Sequence, residues 1–427
     1  FGSSLVARDV WSVARMTMQA GRRHHSRRPL LSVSVIVVCF WVVLSFGQGG
    51  AAGSSLCGTA FSSLGQAGQA GPPIAGLLAG FALYFLYGAD KNCETAAIVM
   101  IYFGAQTGMN LYVKALLTTL VIDEEEGIRG VPIGFLITAI QQFVAFGCFC
   151  TFLVGGRVLD TGYKVKRLRT RSEYLAVVGF SMTFALNIGL NNFSLSFLSI
   201  SVNLIIRSCL PLSTALSQMV VGQFVGVSKP ISQREWLLMF TGVSCATVAT
   251  YVKSQGVSGS SETMLGICCC VASIFSGALN MVLAGVFGTV VHLNALDTTC
   301  YMALPAALVL LMPALLLAHP TGWPGHSSMT DVQVLLEVLG TRPSVMGYVL
   351  ISGVLAFMYN VLQYALVQRL SPTYTAFAGN FNKAATVALA LLLGVETLPA
   401  NGYHQIFLFA ILGNIVAFTA YSLQKEH

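Results

Sequence analysis

The sequence predicts an all-α polytopic membrane protein: ten spanning helices arranged as two inverted five-helix repeats, preceded by an N-terminal apolar extension. Three observations carry this. Hydrophobic residues make up 55% of the chain and charged residues 9%, with a mean hydropathy of +0.74, whereas soluble domains carry about 25% charged residues. From residue 93 onward, apolar runs long enough to cross a bilayer alternate with short polar loops. Cations, costly at mid-membrane, recur at matching places in the two halves, Arg207 in the fourth run and Lys383 in the ninth.

The extension comes first. Residues 1–29 are polar and basic, ending in the cluster at 21–28, and 30–46 form an apolar run with small residues after it. A basic flank, a short apolar core and small residues read as a signal peptide or signal anchor. The Gly/Ala/Ser/Gln stretch 47–71 reads as a flexible linker, and 72–88 as a second accessory apolar segment, short for a span. Residues 1–90 are thus set apart from a first repeat at 91–253 and a second at 254–427.

The ten expected spans are 93–122, 131–154, 173–190, 195–226, 235–253, 262–288, 298–318, 344–369, 371–395 and 402–423. The loop 155–172 holds Arg157, Lys164, Lys166, Arg167, Arg169 and Arg171, so by the positive-inside rule it faces the cytosol and fixes the topology. The acidic loop before it then lies opposite. Lys229, Arg234 and Arg369 return to the cytosolic side, and the long loop 319–343, with one Arg, lies opposite again. Both ends of the ten-span body are cytosolic in this scheme. Five spans per half make the second half enter inverted. Ser194 to Arg207 and Leu370 to Lys383 cover the same distance, as an inverted repeat would have it.

Charge then narrows the function. The net charge of +7 sits in short loops beside apolar segments, which is not a nucleic-acid signal. The eleven cysteines lie mainly in apolar runs and read as lipophilic packing residues, not metal ligands or disulfides. Lys114, Arg207 and Lys383 fall within spans, yet no Asp or Glu lies well inside one. Proton-coupled cation export usually needs such a carboxylate. Cations around a shared cavity suit an anion, Arg as a planar fork on phosphate and Lys as a point charge. Lys114 shares a polar stripe with Gln106 and Asn110; Arg207 shares a face with Asn203, Pro211 and Thr214; Lys383 shares one with Gly379, Asn380 and Thr386. Tyr359, Asn360, Gln363 and Tyr364 add groups able to bond a sugar or stack on a base. Structural alternatives stand beside these: Lys114 could snorkel to the interface, and Tyr359 and Asn360 could serve interhelical packing. The sequon at Asn192 sits in what reads as a tight turn against the membrane and is discounted.

Four stretches carry a family resemblance. Residues 110–117 (NLYVKALL), 192–211 (NFSLSFLSISVNLIIRSCLP), 358–366 (MYNVLQYAL) and 371–384 (SPTYTAFAGNFNKA) together resemble the drug/metabolite transporter superfamily, in its triose-phosphate translocator and nucleotide-sugar transporter branch. The resemblance covers 93–423. It implies that Arg207 stands where plastid members place a phosphate-binding Lys, that Tyr359 contacts substrate phosphate, and that Lys383 is the main substrate cation. Two departures bear on cargo. Ala384 follows Lys383 where plastid exchangers carry Arg or Lys, and Ile188 and Asn191 stand where they carry His and Thr. GNFNK (379–383) is partly similar to the GALNK motif of GDP-mannose transporters.

The expected function is therefore an antiporter, not an enzyme, exchanging a nucleotide-sugar or related phosphorylated sugar across a Golgi or endoplasmic reticulum membrane. Plastid-type triose-phosphate exchange is the alternative, and a non-transporting scaffold or receptor on the same fold is an alternative of another class. The expected binding residues are Arg207, Lys383, Tyr359, Asn360, Asn203, Gly379, Asn380 and Lys114. No cofactor or metal is expected. The partners are the phosphorylated cargo, its counter-substrate and the bilayer, with no nucleic acid, and a homodimer is left open.

Overall fold

The structure is a computed structural model describing residues 65–87, 91–158, 163–225, 232–254, 261–325, 328–370 and 403–424, with residues 372, 375, 376, 378 and 379. In chain order the elements are α1 (Gly65–Tyr87), α2 (Lys91–Thr118), a hairpin of β1 (Val121–Asp123) and β2 (Ile128–Arg129), α3 (Gly134–Val158), α4 (Arg171–Phe197), α5 (Ile200–Arg207), α6 (Leu210–Val225), α7 (Gln233–Ser254) and α8 (Ser261–Val286). A π-helical turn (Phe287–Val291) ends α8. Then come α9 (Ala295–Leu316), a two-stranded ladder of β3 (Ala318–His319) and β4 (Met329–Thr330), α10 (Asp331–Thr341), α11 (Val345–Leu370) and α12 (His404–Gln424).

The fold is all-α and polytopic. Seven helices among the described residues are long and apolar enough to cross a membrane. The principal neighbours are α4 with α8, α1 with α2, α7 with α12, and α3 with both α9 and α11. Large apolar side chains such as Leu175, Leu316 and Phe409 point outward at 72%, 74% and 69% exposure, as a lipid-facing surface requires. Inside, Ile137, Phe180, Phe287, Met302 and Val349 belong to one continuous core. Gly134 lets α3 and α4 cross closely, since a Cβ there would lie 2.6 Å from the Phe193 Cα.

Several boundaries differ from the sequence-based expectation. The helix α1 begins at Gly65, inside the stretch read as linker; Ala and Gln there are sound helix formers, and Gly80 packs against Ile101 of α2. The third expected span runs on through Phe197, so Asn192 sits not in a tight turn but inside a helix, 5% exposed, its Nδ2 donating to Thr138 Oγ1 at 2.8 Å. The expected fourth span is two helices. Leu198 and Ser199 are extended, Ser199 caps α5, and a turn at 208–209 separates α5 from α6. The loop 319–343 holds the β-ladder and α10, whose N-terminus is fixed by a capping box of Thr330 and Gln333. The ninth expected span lies outside the described residues apart from its first isolated positions.

Two polar clasps hold the ends. Asp331, fully buried, accepts the backbone N–H groups of Phe135 at 2.8 Å and Leu136 at 2.7 Å, capping α3, while His319 Nε2 bonds its other oxygen at 2.7 Å. Burial alone would lower the His319 pKa, but the hydrogen bond and charge of Asp331, with the Pro320 carbonyl, outweigh it and hold the imidazole above its ordinary value. At the basic loop, Tyr163 donates to Asp297 at 2.5 Å and the Lys166 ammonium to the Val291 carbonyl. Burial, then the Asp297 charge, raises the Tyr163 pKa. The loop read as a topology determinant is therefore also fastened to the start of α9.

Candidate substrate-binding site

A partly open cavity lies between α2, α3, α4, α5 and α11. Gln106 and Asn110 reach it from α2, Gln141 and Gln142 from α3, Ile188, Asn191 and Asn192 from α4, Asn203 and Arg207 from α5, and Tyr359 and Asn360 from α11. The wall thus combines a guanidinium, a phenol and many carboxamides with apolar side chains such as Phe184 and Leu204.

Arg207 is the last residue of α5, where a helix terminus favours a cation. Its Nη1 donates to Ser273 Oγ at 3.4 Å and its Nη2 to Asn187 Oδ1 at 3.3 Å. Both of these partners are neutral, and they orient the guanidinium. Asn187 has room because the facing residue is Gly277, whose Cβ would lie 2.6 Å from Asn187 Oδ1. Asn203 is 1% exposed and donates to Ser194 Oγ at 2.8 Å, which ties α5 back to α4 across the break. On the opposite helices, Tyr102 and Tyr359 stack with ring centroids 5.7 Å apart, and Gln106 Nε2 donates to the Tyr359 hydroxyl at 3.3 Å.

The structure therefore brings together Arg207, Asn203, Tyr359 and Asn360. Gly379 is buried close by; a Cβ there would make ordinary contact with the Tyr102 hydroxyl at 3.8 Å. Asn380 and Lys383 lie outside the described residues. Lys114 is placed differently. Its ammonium donates to the carbonyls of Leu195 at 2.6 Å and Leu198 at 2.8 Å, closing the C-terminus of α4, and it is not among the residues lining the cavity. Orphan carbonyls at a helix end attract a cation, and Lys114 is long enough to serve them. Tyr364 is core: its hydroxyl donates to Asn280 at 3.4 Å.

Sequence reasoning missed Gln141, Gln142, Asn187 and Ser273. The adjacent carboxamides of Gln141 and Gln142, set in an otherwise apolar run, were a readable signal. Gln141 is committed, with its Nε2 on Ser352 Oγ at 3.1 Å. By contrast Gln142 Oε1, Asn191 Oδ1 and Asn360 Nδ2 are buried with no hydrogen-bond partner among the described residues. A buried polar atom left without a partner costs about 1–3 kcal/mol, so these three atoms call for a polar partner.

Residues 94–402 match the Triose-phosphate Transporter family. A probable sugar phosphate/phosphate translocator of Arabidopsis thaliana is 25% identical over 240 residues, covering 56% of this chain and 71% of that protein. A second protein of the same description and plant is 25% identical over 303 residues, covering 70% and 74%. The plant's UDP-uronic acid transporter 1 is 22% identical over 244 residues, covering 56% and 72%. The resemblance carried by the four sequence stretches is borne out at the level of family. The chain is an integral membrane transporter that belongs to the Triose-phosphate Transporter family.

Proposed function

We propose that this transporter is an antiporter, exchanging a nucleotide-sugar or a related phosphorylated sugar across an organelle membrane. The observation that carries the reading is the placement of Arg207 on the wall of a cavity otherwise lined by neutral polar and apolar groups. A guanidinium offers a phosphate two parallel N–H donors. Asn203, Tyr359 and Asn360 meet the sugar or base. Lys383, with Asn380, supplies a second cation from the second half of the chain.

Exchange follows from charge. The halves 91–253 and 254–427 rock about the site, and bringing Arg207 and Lys383 together without an anion sets like charges against each other in a poorly screened interior. A bound phosphate group offsets that cost, so the site crosses loaded in each direction. Nucleotide-sugar against nucleoside monophosphate is one such pair. The Golgi or endoplasmic reticulum is the preferred compartment and a plastid membrane the alternative.

A second reading, sugar phosphate against inorganic phosphate, is favoured by the names of two of the relatives above. Counterflow into proteoliposomes separates the two. Nucleoside monophosphate inside should drive uptake of labelled nucleotide-sugar under the first reading. Inorganic phosphate inside should drive uptake of labelled sugar phosphate under the second. A protein that is folded yet exchanges neither would be a scaffold or receptor.

A further inference from the structure

Five buried side-chain polar atoms find no partner among the described residues, and three of them belong to residues that line the cavity with Arg207. Each comes from a different helix: Gln142 Oε1 from α3, Asn191 Oδ1 from α4 and Asn360 Nδ2 from α11. Their residues are 1%, 8% and 3% exposed. The other two atoms, the hydroxyls of Tyr102 and Ser196, belong to residues that do not line it. Neighbouring polar groups of the same wall are already engaged, Asn192 with Thr138, Gln106 with Tyr359 and Asn203 with Ser194. The open amides are therefore a selected subset of a polar wall.

Their chemistry restricts what can fill them. The fully ionised phosphate of an ester and an ionised carboxylate only accept hydrogen bonds, so they cannot satisfy a carbonyl oxygen such as Gln142 Oε1 or Asn191 Oδ1. A hydroxyl both donates and accepts, and so meets either end of a carboxamide whichever way round the amide is set. We propose that Gln142, Asn191 and Asn360 form a neutral subsite that reads hydroxyl groups on the sugar of the cargo, selecting polyhydroxylated phosphate esters over hydroxyl-poor ones. The proposal rests on the reading that Arg207 holds the cargo's phosphate. A hexose phosphate or nucleotide-sugar brings several hydroxyls to this wall. Phosphoenolpyruvate, whose carbon skeleton has none, leaves the amides buried and unsatisfied, which is how a hydrogen-bonding pocket rejects an analogue.

The test uses the full chain in proteoliposomes. Hexose phosphate, nucleotide-sugar and phosphoenolpyruvate are compared as competitors of counterflow, for the wild type and for Gln142→Met and Asn191→Leu, with thermal melts of each protein without cargo. The wild type should favour the hydroxyl-rich competitors by about tenfold or more, a factor worth one hydrogen bond. Each variant should lose about that factor of preference while melting at or above the wild-type temperature, because an unsatisfied buried atom has been removed. A wild type that binds phosphorylated compounds without regard to hydroxyls overturns the subsite and leaves the phosphate reading standing. Variants that melt lower and weaken every competitor alike overturn it in favour of a structural role. A wild type that binds no phosphorylated compound overturns the phosphate reading itself, and the subsite with it.

Discussion

Arg207 Nη2 donates to Asn187 Oδ1 at 3.3 Å, a bond between a charged side chain at the end of α5 and a neutral one in the middle of α4. A neutral acceptor orients the fork without adding a negative charge of its own. Asn187→Asp should therefore reduce cargo affinity by about tenfold or more, because the new carboxylate competes for the guanidinium. The apparent KM of counterflow reads this, and an unchanged KM would separate Arg207 from the binding step.

Gly277 makes that bond possible. Gly277→Ala would place a methyl 2.6 Å from Asn187 Oδ1, and overpacking of this kind costs about 1–3 kcal/mol. The variant should melt lower and bind cargo more weakly. Gly147, around which a Cβ meets nothing within 4 Å, provides the control: Gly147→Ala should do neither.

Lys114 closes the C-terminus of α4 through Leu195 and Leu198. Lys114→Met should lower stability by about 1–2 kcal/mol as those carbonyls lose their cation. Its effect on KM should be smaller than that of Arg207→Gln. Thermal melts and counterflow on the same preparations compare the two, and a larger KM effect at Lys114 would return it to the binding site.

The His319–Asp331 pair gives a pH dependence with a definite sign. The folded-state pKa of His319 is raised above its ordinary value near 6.5. The charged pair thus stabilises the fold fully below that value, and its contribution is lost as pH rises through the raised one. The melting-temperature gap between wild type and His319→Gln should be widest at acid pH and narrow as the medium becomes alkaline. Asp331→Ala should be worse at every pH, by about 3 kcal/mol or more, since it strips the cap from α3 and leaves His319 without its carboxylate.

Much of this was legible in the sequence, because burying charge in a bilayer is expensive and leaves visible marks. The apolar runs placed most of the long helices, and Arg207 stood out as a cation inside one of them. What was not legible depended on distances between segments. Nothing local distinguishes a Lys at a cavity from a Lys on a helix terminus, so Lys114 could be placed only once α4 was seen to end beside it. The break at Leu198 and Ser199 was read several residues too early, since Asn191 and Asn192 suit turns by propensity yet sit in α4 with their side chains turned inward. The clasp of Asp331 on Phe135 and Leu136 joins residues nearly two hundred positions apart, beyond the reach of any periodicity.

If the Arg207 cavity carries a phosphorylated sugar in exchange for a second phosphorylated solute, transport must depend both on that guanidinium and on a solute inside. Counterflow with wild type and Arg207→Gln, both shown to be folded, tests it most directly. Labelled nucleotide-sugar or sugar phosphate should enter only when nucleoside monophosphate or phosphate is inside, with a loss of about 100-fold or more in the variant as a charge-assisted pair disappears. Uptake that needs no internal solute, or that survives Arg207→Gln undiminished, would contradict it.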